Sequence, residues 1–270
     1  MRERSALIYS EKERGSISMV DFSLKNKIAI VTGGSRGIGE AIAKAFAEQG
    51  ATVIVCSRKQ DGVDRVAEEI KAAGGAALGI ACHTGQSAAI EVLYARVKQE
   101  FGRVDVLVNN AAANPYFGPA VEITEAAFDK TFEVNVKGYF LMAQHAARMM
   151  IEQGSGSIIN IASIAGFSPP PMQGVYGVTK SAVIAMTKMF AKELGGVGVR
   201  CNCIAPGLVE TKFAQVLIES PEMLEHFTSR TPMGRHAQPN EIVGAAIYLA
   251  SDAASYTSGA TITVDGGYTA

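Results

Sequence analysis

Surplus charge, paired cysteines, clustered histidines and long apolar runs are all missing from this sequence of 270 residues, and each absence removes a class of function. The 25 lysines and arginines nearly balance 26 acidic residues, so the formal net charge is -1. No overall positive field exists to hold a polyphosphate backbone by counterion release, and nucleic acid is not an expected partner. Cys56, Cys82, Cys201 and Cys203 lie inside apolar runs without C-x-x-C spacing, which reads as buried thiols, with neither a disulfide frame nor a zinc site. His83, His145, His226 and His236 are scattered without ligand spacing, so no metal is expected. No apolar run reaches the roughly 18 residues of a membrane span. Residues 1–24 mix Arg2, Arg4, Glu11, Lys12, Glu13 and Arg14 without the apolar stretch of a secretory signal. The expectation is a cytoplasmic protein with no membrane partner, a disordered extension over residues 1–24 and one folded domain over 25–270.

What the sequence does have is 48% hydrophobic residues, enough for a sizeable core, arranged in two alternating patterns. Short β-branched runs at Ile28–Val31, Thr52–Cys56, Ala76–Ala81, Val104–Asn109, Ser157–Ala162, Val199–Ile204 and Thr261–Val264 predict seven strands. Between them, apolar residues at three- and four-residue spacing predict helices near 37–49, 62–73, 87–101, 124–133, 136–153, 176–194 and 240–250. Repeated β-α units of this kind make an α/β fold, a doubly wound Rossmann-type parallel sheet with helices on both faces. Ligands of such sheets bind beyond the carboxyl ends of the strands, where strand order reverses. The stretch 208–235 is unlike the rest: it carries Phe213, Val216, Leu217, Ile218, Met223, Leu224 and Phe227 between a strand and the next helix, and reads as a substrate lid.

The segment Thr32-Gly33-Gly34-Ser35-Arg36-Gly37-Ile38-Gly39 follows the first strand and opens a helix. Its glycines let backbone approach a pyrophosphate that the helix amino terminus attracts. The second strand ends Cys56-Ser57-Arg58-Lys59 with no carboxylate for a ribose hydroxyl, while Arg58 with Arg36 suits the 2′-phosphate of NADP(H). NADP(H) is therefore favoured over NAD(H), although Asp61 or Asp64 one turn later could still reach a ribose.

Tyr176 and Lys180 are four residues apart at the start of a helical segment and so share one face. A fixed ammonium beside a phenol is expected to favour the phenolate and bring its pKa toward the working range of a general acid or base. Ser163, at the end of the fifth strand, can hold a substrate oxygen beside Tyr176. Asn135 reads as heading a helix after a break, either as a plain cap or as a buried amide holding a water behind Lys180.

With these residues in their β-α slots, and with Asn109-Asn110-Ala111 and Pro206-Gly207 with Thr211 beside them, the chain resembles the short-chain dehydrogenase/reductase family over residues 24–268 or so. The resemblance implies a catalytic tetrad of Asn135, Ser163, Tyr176 and Lys180, with Tyr176 donating the proton and Lys180 also binding the nicotinamide ribose. It implies cofactor contacts at Gly33, Ser35, Arg36, Gly37, Ile38, Gly39, Ser57, Arg58 and Lys59, at Asn109 and Ala111 on the adenosine side, and at Pro206, Gly207, Val209 and Thr211 near the carboxamide. It also implies a homotetramer using the helices at 124–153. The family commonly has glycine where Ala112 stands and an acidic residue after the third strand where this chain reads Cys82-His83-Thr84. With Asn114-Pro115-Tyr116-Phe117-Gly118, these features are similar to the NADP-dependent retinal and carbonyl reductases of the family. The expected activity is reduction of an apolar ketone or aldehyde. Reduction of 3-oxoacyl chains on a carrier protein, docked by Lys212, Arg230 and Arg235, is one alternative, and a non-catalytic NADP-sensing protein is another.

Overall fold

Alternate residues of each β-branched run point to opposite faces of one sheet, and both faces are apolar, which is the condition for a sheet covered on both sides. The computed structural model describes residues 20–270. Its seven strands are β1 (Ile28–Thr32), β2 (Thr52–Ser57), β3 (Ala76–Ala81), β4 (Val106–Asn109), β5 (Gly156–Ile161), β6 (Val199–Pro206) and β7 (Thr261–Val264). All pair in parallel, in the order β3-β2-β1-β4-β5-β6-β7, so the expected seven-stranded doubly wound sheet is what forms. The helices are α1 (Gly37–Glu48), α2 (Gln60–Ala72), α3 (Ser87–Phe101), α4 (Glu125–Phe132), α5 (Tyr139–Gln153), α6 (Gly174–Leu194), α7 (Gln215–Ile218), α8 (Pro221–Thr228) and α9 (Val243–Ala250). Among the described residues no helix is long and apolar enough to cross a membrane.

The strand alternation splits the core in two. Ile30, Ile54, Leu107, Ile158 and Cys201 face α3, α5 and α6, while Ala29, Val31, Val53, Val108 and Ile159 face α1, α2 and α9. All four cysteines are buried in this sheet region. β1 and β4 are neighbours, and the chain winds away from them in opposite directions, so their carboxyl ends define the crevice where a ligand fits.

Two expectations need correction. Of the extension over residues 1–24, residues 1–19 lie outside the described residues. At its other end Leu24 is fully buried and donates its N–H to Gln49 O at 2.9 Å, while Asp21 O accepts from Ala253 N, so packed chain begins short of residue 25. The helices expected at 124–133 and 136–153 are continuous: α4 runs through a π-helical turn, Glu133–Gly138, into α5. Asn135 therefore heads no helix. Gly138 belongs to this turn because a Cβ there would stand 2.5 Å from Thr84 O, too close for any other residue.

Candidate active site

The glycine loop closes over the crevice between β1 and β4. Gly33 and Gly37 take positive φ of 64° and 58°, a conformation other residues rarely adopt. A Cβ on Gly33 would lie 2.7 Å from the Asn110 Nδ2, and one on Gly37 would lie 3.0 Å from Thr211 Cγ2. The loop after β6, with Pro206, Gly207, Val209 and Thr211, thus packs directly against the loop after β1. Gly39 is buried in α1, where a Cβ would meet Asn110 Nδ2 at 2.5 Å, and Ile38 packs on the core. The result is a backbone-lined cradle at the amino terminus of α1, of a shape and polarity that fit a pyrophosphate.

The cradle is fixed by two residues that the sequence reading did not assign to the site. Buried Thr32 donates from Oγ1 to Val108 O and accepts there from Asn110 N at 2.9 Å and Ala111 N at 3.1 Å. Asn110 donates from Nδ2 to Thr32 O at 2.9 Å and to Gly33 O at 3.4 Å. Asn109 points the other way, as strand alternation requires. Its Nδ2 donates to Tyr139 O at 3.1 Å and Asn160 Oδ1 at 3.0 Å in the core, so the expected adenosine contact is not available to its side chain.

At the far end of the crevice Ser57 is half-buried and Arg36, Arg58 and Lys59 are exposed, with no carboxylate paired to any of them among the described residues. Arg65 on α2 is held instead by Glu40 and Glu69 and donates to Ser35 O at 2.9 Å. His83, the residue in the acidic position of the family pattern, accepts at Nδ1 from Gly85 N, and its Nε2 lies 3.1 Å from Lys130 Nζ. Burial, Lys130 and Arg58 lower its pKa against the opposing charge of Glu133, which pairs with Lys130 at 3.1 Å. The three cations without a carboxylate partner among the described residues, Arg36, Arg58 and Lys59, fit a dianionic phosphate.

The second cluster is built on α6 and the loop after β5. Ser163 lies two residues past β5 and caps a short 3-10 turn, accepting at Oγ from Ala165 N at 3.1 Å. Tyr176 is buried, with only 8% of its surface exposed, and the Ser163 hydroxyl is beside its phenol. Desolvation pushes the phenol well above the ordinary tyrosine range, only partly offset by the neighbouring Ser163 hydroxyl. Burial acts against the downward shift expected from Lys180, whose Nζ stands 5.6 Å from the Tyr176 ring centroid. Lys180 is buried too, and desolvation lowers its pKa to about 8. Its Nζ donates to Ile161 O at 2.7 Å and to Tyr139 Oη at 3.3 Å.

Asn135 is fully buried but its amide is spent elsewhere. Oδ1 accepts from Ala113 N at 2.8 Å, and Nδ2 donates to Ala113 O at 2.9 Å and Thr179 Oγ1 at 3.1 Å. It ties the loop after β4 to α6, and the water-holding role expected for its side chain has no free donor. Tyr176 opens onto a narrow pocket lined by Tyr116, Ile123, Met172, Val175 and Asn114. Met172 has φ of 68°, a left-handed conformation that strains a methionine and is typical of binding loops. From the region 208–235, which folds as α7 and α8, Phe213 reaches over to Tyr176 with ring centroids 5.4 Å apart.

A profile of the family described as Enoyl-(Acyl carrier protein) reductase matches residues 33–269. The chain is 41% identical over 244 residues to Dehydrogenase/reductase SDR family member 4 of Oryctolagus cuniculus, covering 90% of this chain and 94% of that protein. It is 39% identical over 255 residues to Tropinone reductase-like 3 of Erythroxylum coca, covering 94% and 98%. Its structure resembles that of a gluconate 5-dehydrogenase from Burkholderia cenocepacia in complex with NADP and tartrate, with a TM-score of 0.89, 33% identity, and 92% and 97% of the two chains covered.

Proposed function

Because the chain belongs to the short-chain dehydrogenase/reductase family, an oxidoreductase family that moves hydride between a nicotinamide and a carbonyl or alcohol carbon, we propose that it reduces apolar ketones or aldehydes with NADPH. The observation that carries the reading is the buried Tyr176 phenol, set at the mouth of a pocket lined by Tyr116, Ile123 and Met172 with Ser163 and Lys180 beside it. A phenol there is the general acid for a reduction, and its conjugate base is the general base for the reverse oxidation.

NADPH bound in the crevice supplies the hydride. The backbone around Gly33, Ser35, Gly37, Ile38 and Gly39 holds its pyrophosphate, Arg36, Arg58, Lys59 and Ser57 its 2′-phosphate, and Ala111 with the segment Pro206–Thr211 its remaining length. Ser163 donates to the substrate oxygen and fixes the carbonyl beside Tyr176, which transfers its proton to that oxygen as charge develops on it. Lys180 provides the positive charge that eases departure of the phenolic proton and holds the nicotinamide ribose. Asn135 serves the site by clamping Ala113 to Thr179 next to these groups. The exposed apolar side chains Phe128 on α4 and Ile151 on α5 support a homotetramer through those helices.

The carrier-bound alternative is the weaker reading, because Arg235, one of three expected docking cations, is already paired with Glu241. NADPH oxidation by purified protein, measured against apolar ketones, aldehydes and an acetoacetyl thioester, tests the proposal. Turnover of the apolar carbonyls is expected, with Tyr176→Phe lowering it about 10²- to 10⁴-fold, the range of a lost general acid. Unchanged turnover in Tyr176→Phe, or turnover of the thioester alone, sinks it.

A further inference from the structure

The charge of Lys180 has little to support it. Its Nζ lies in the core, and among the described residues no carboxylate is within ion-pairing distance. The groups that face it are Tyr139 from α5, Tyr176 from its own helix, the Cys203 thiol from β6 and the Ile161 carbonyl from β5. Cys203 supplies no anion at neutral pH, since burial pushes its thiol up to about 11. That leaves two hydrogen-bond acceptors, Ile161 O and Tyr139 Oη, together with two aromatic faces whose centroids stand 5.0 Å and 5.6 Å from Nζ.

Tyr139 is itself held at both ends. Its hydroxyl donates to Ile161 O at 3.1 Å, which directs an oxygen lone pair at Lys180, and its carbonyl accepts from Asn109 Nδ2. It is the first residue after the π-helical turn, so the wide turn delivers this phenol into the sheet beneath the active site.

We propose that Tyr139 is a positioning residue for Lys180, holding the ammonium through its phenolic oxygen and ring face and keeping it charged beneath Tyr176. The proposal rests on the assignment of Lys180 to the reaction. Loss of the hydroxyl removes one of two acceptors and makes the ammonium easier to deprotonate, while loss of the ring would also remove the aromatic face.

Tyr139→Phe keeps the ring and isolates the hydroxyl. Lys180 is titrated directly by the 13Cε resonance of labelled lysine, assigned by its disappearance in Lys180→Met, and kcat is followed against pH with NADPH and a ketone. The expected result is a Lys180 titration about one pH unit lower than wild type. The alkaline limb of kcat should move with it, so the loss grows from about twofold at pH 7 to about tenfold above pH 8.5. If Tyr139→Phe folds poorly, adding Lys180→Met restores its thermal midpoint under the proposal, because the unsupported charge is gone. A Lys180 titration at the wild-type position, or a midpoint that Lys180→Met does not restore, overturns it. A shifted titration alongside a fully active Tyr176→Phe enzyme would leave Tyr139 its role and remove the catalytic reading instead.

Discussion

Lys180 shows how a single side chain can cost stability in order to work. An ordinary lysine titrates at 10.5, and this one at about 8 because burial disfavours its charged form. Between those two values the unfolded chain holds a proton that the folded chain has released, so stability rises with pH across that window. Below about pH 8 the charge is present in both states and the full penalty, on the order of 3 kcal/mol, bears on the native state. Lys180→Met removes that charge while leaving Ile161 O with its bond from Tyr139 Oη. The variant is therefore expected to be more stable than wild type at pH 7, by up to about 3 kcal/mol less the lost hydrogen bonds, and inactive. Urea unfolding at pH 7 and pH 10 checks this, since the advantage must shrink at the higher pH. A variant less stable at pH 7 would show that the two hydrogen bonds of Nζ outweigh its desolvation. The sequence placed Tyr176 and Lys180 on one helix face, and they are there, but it did not reveal that burial would set their proton affinities. Spacing along a helix is local, whereas desolvation depends on everything packed around it.

Elements were legible where pattern is local and opaque where a turn depends on a distant neighbour. Ala76–Ala81 and Thr261–Val264 were placed to the residue by short apolar or β-branched runs bounded by turn residues. The α4–α5 junction was misread because Asn135 and Gly138 look like a helix break, when in fact Gly138 is required by Thr84 on another segment. The place of the Asn109 side chain was opaque for a related reason: alternation along β4 sends it into the core and Asn110 under the glycine loop. The lid expected over 208–235 carries two short helices, and besides Thr211 against the glycine loop it reaches Tyr176 through the ring of Phe213. Phe213 is 46% exposed and lies against Tyr176, so it shields the phenol at little cost to packing. Phe213→Ala is expected to change stability by less than about 1 kcal/mol, as for an exposed side chain. It should raise KM about five- to tenfold for a bulky apolar ketone, the size of one lost apolar contact surface, and leave a small ketone nearly unaffected. An equal loss on both substrates would mean that Phe213 serves to hold Tyr176 and not the substrate.

At the scale of the whole molecule, the sheet order places the glycine loop after β1, the Asn110 support after β4 and Thr211 after β6 around one crevice. A dinucleotide filling it joins the two halves of the sheet and should stabilise the native state by the free energy of binding. At a ligand concentration one hundred times its dissociation constant the gain is about 2.7 kcal/mol, which for a domain of this size raises the thermal midpoint by roughly 5 °C or more. The crevice discriminates only at its rim, where Arg36, Arg58 and Lys59 stand exposed without carboxylate partners among the described residues. NADPH at the same concentration is therefore expected to raise the midpoint more than NADH, and added salt should narrow the difference because these charges are open to solvent. Arg58→Glu should abolish or invert the preference while leaving the midpoint of the free protein within about 1 °C, since Arg58 is exposed and makes no ion pair among the described residues. If NADH shifts wild type as far as NADPH does, Arg58 and Arg36 are surface charges only, and a carboxylate one turn into α2, Asp61 or Asp64, is the group to examine at the ribose.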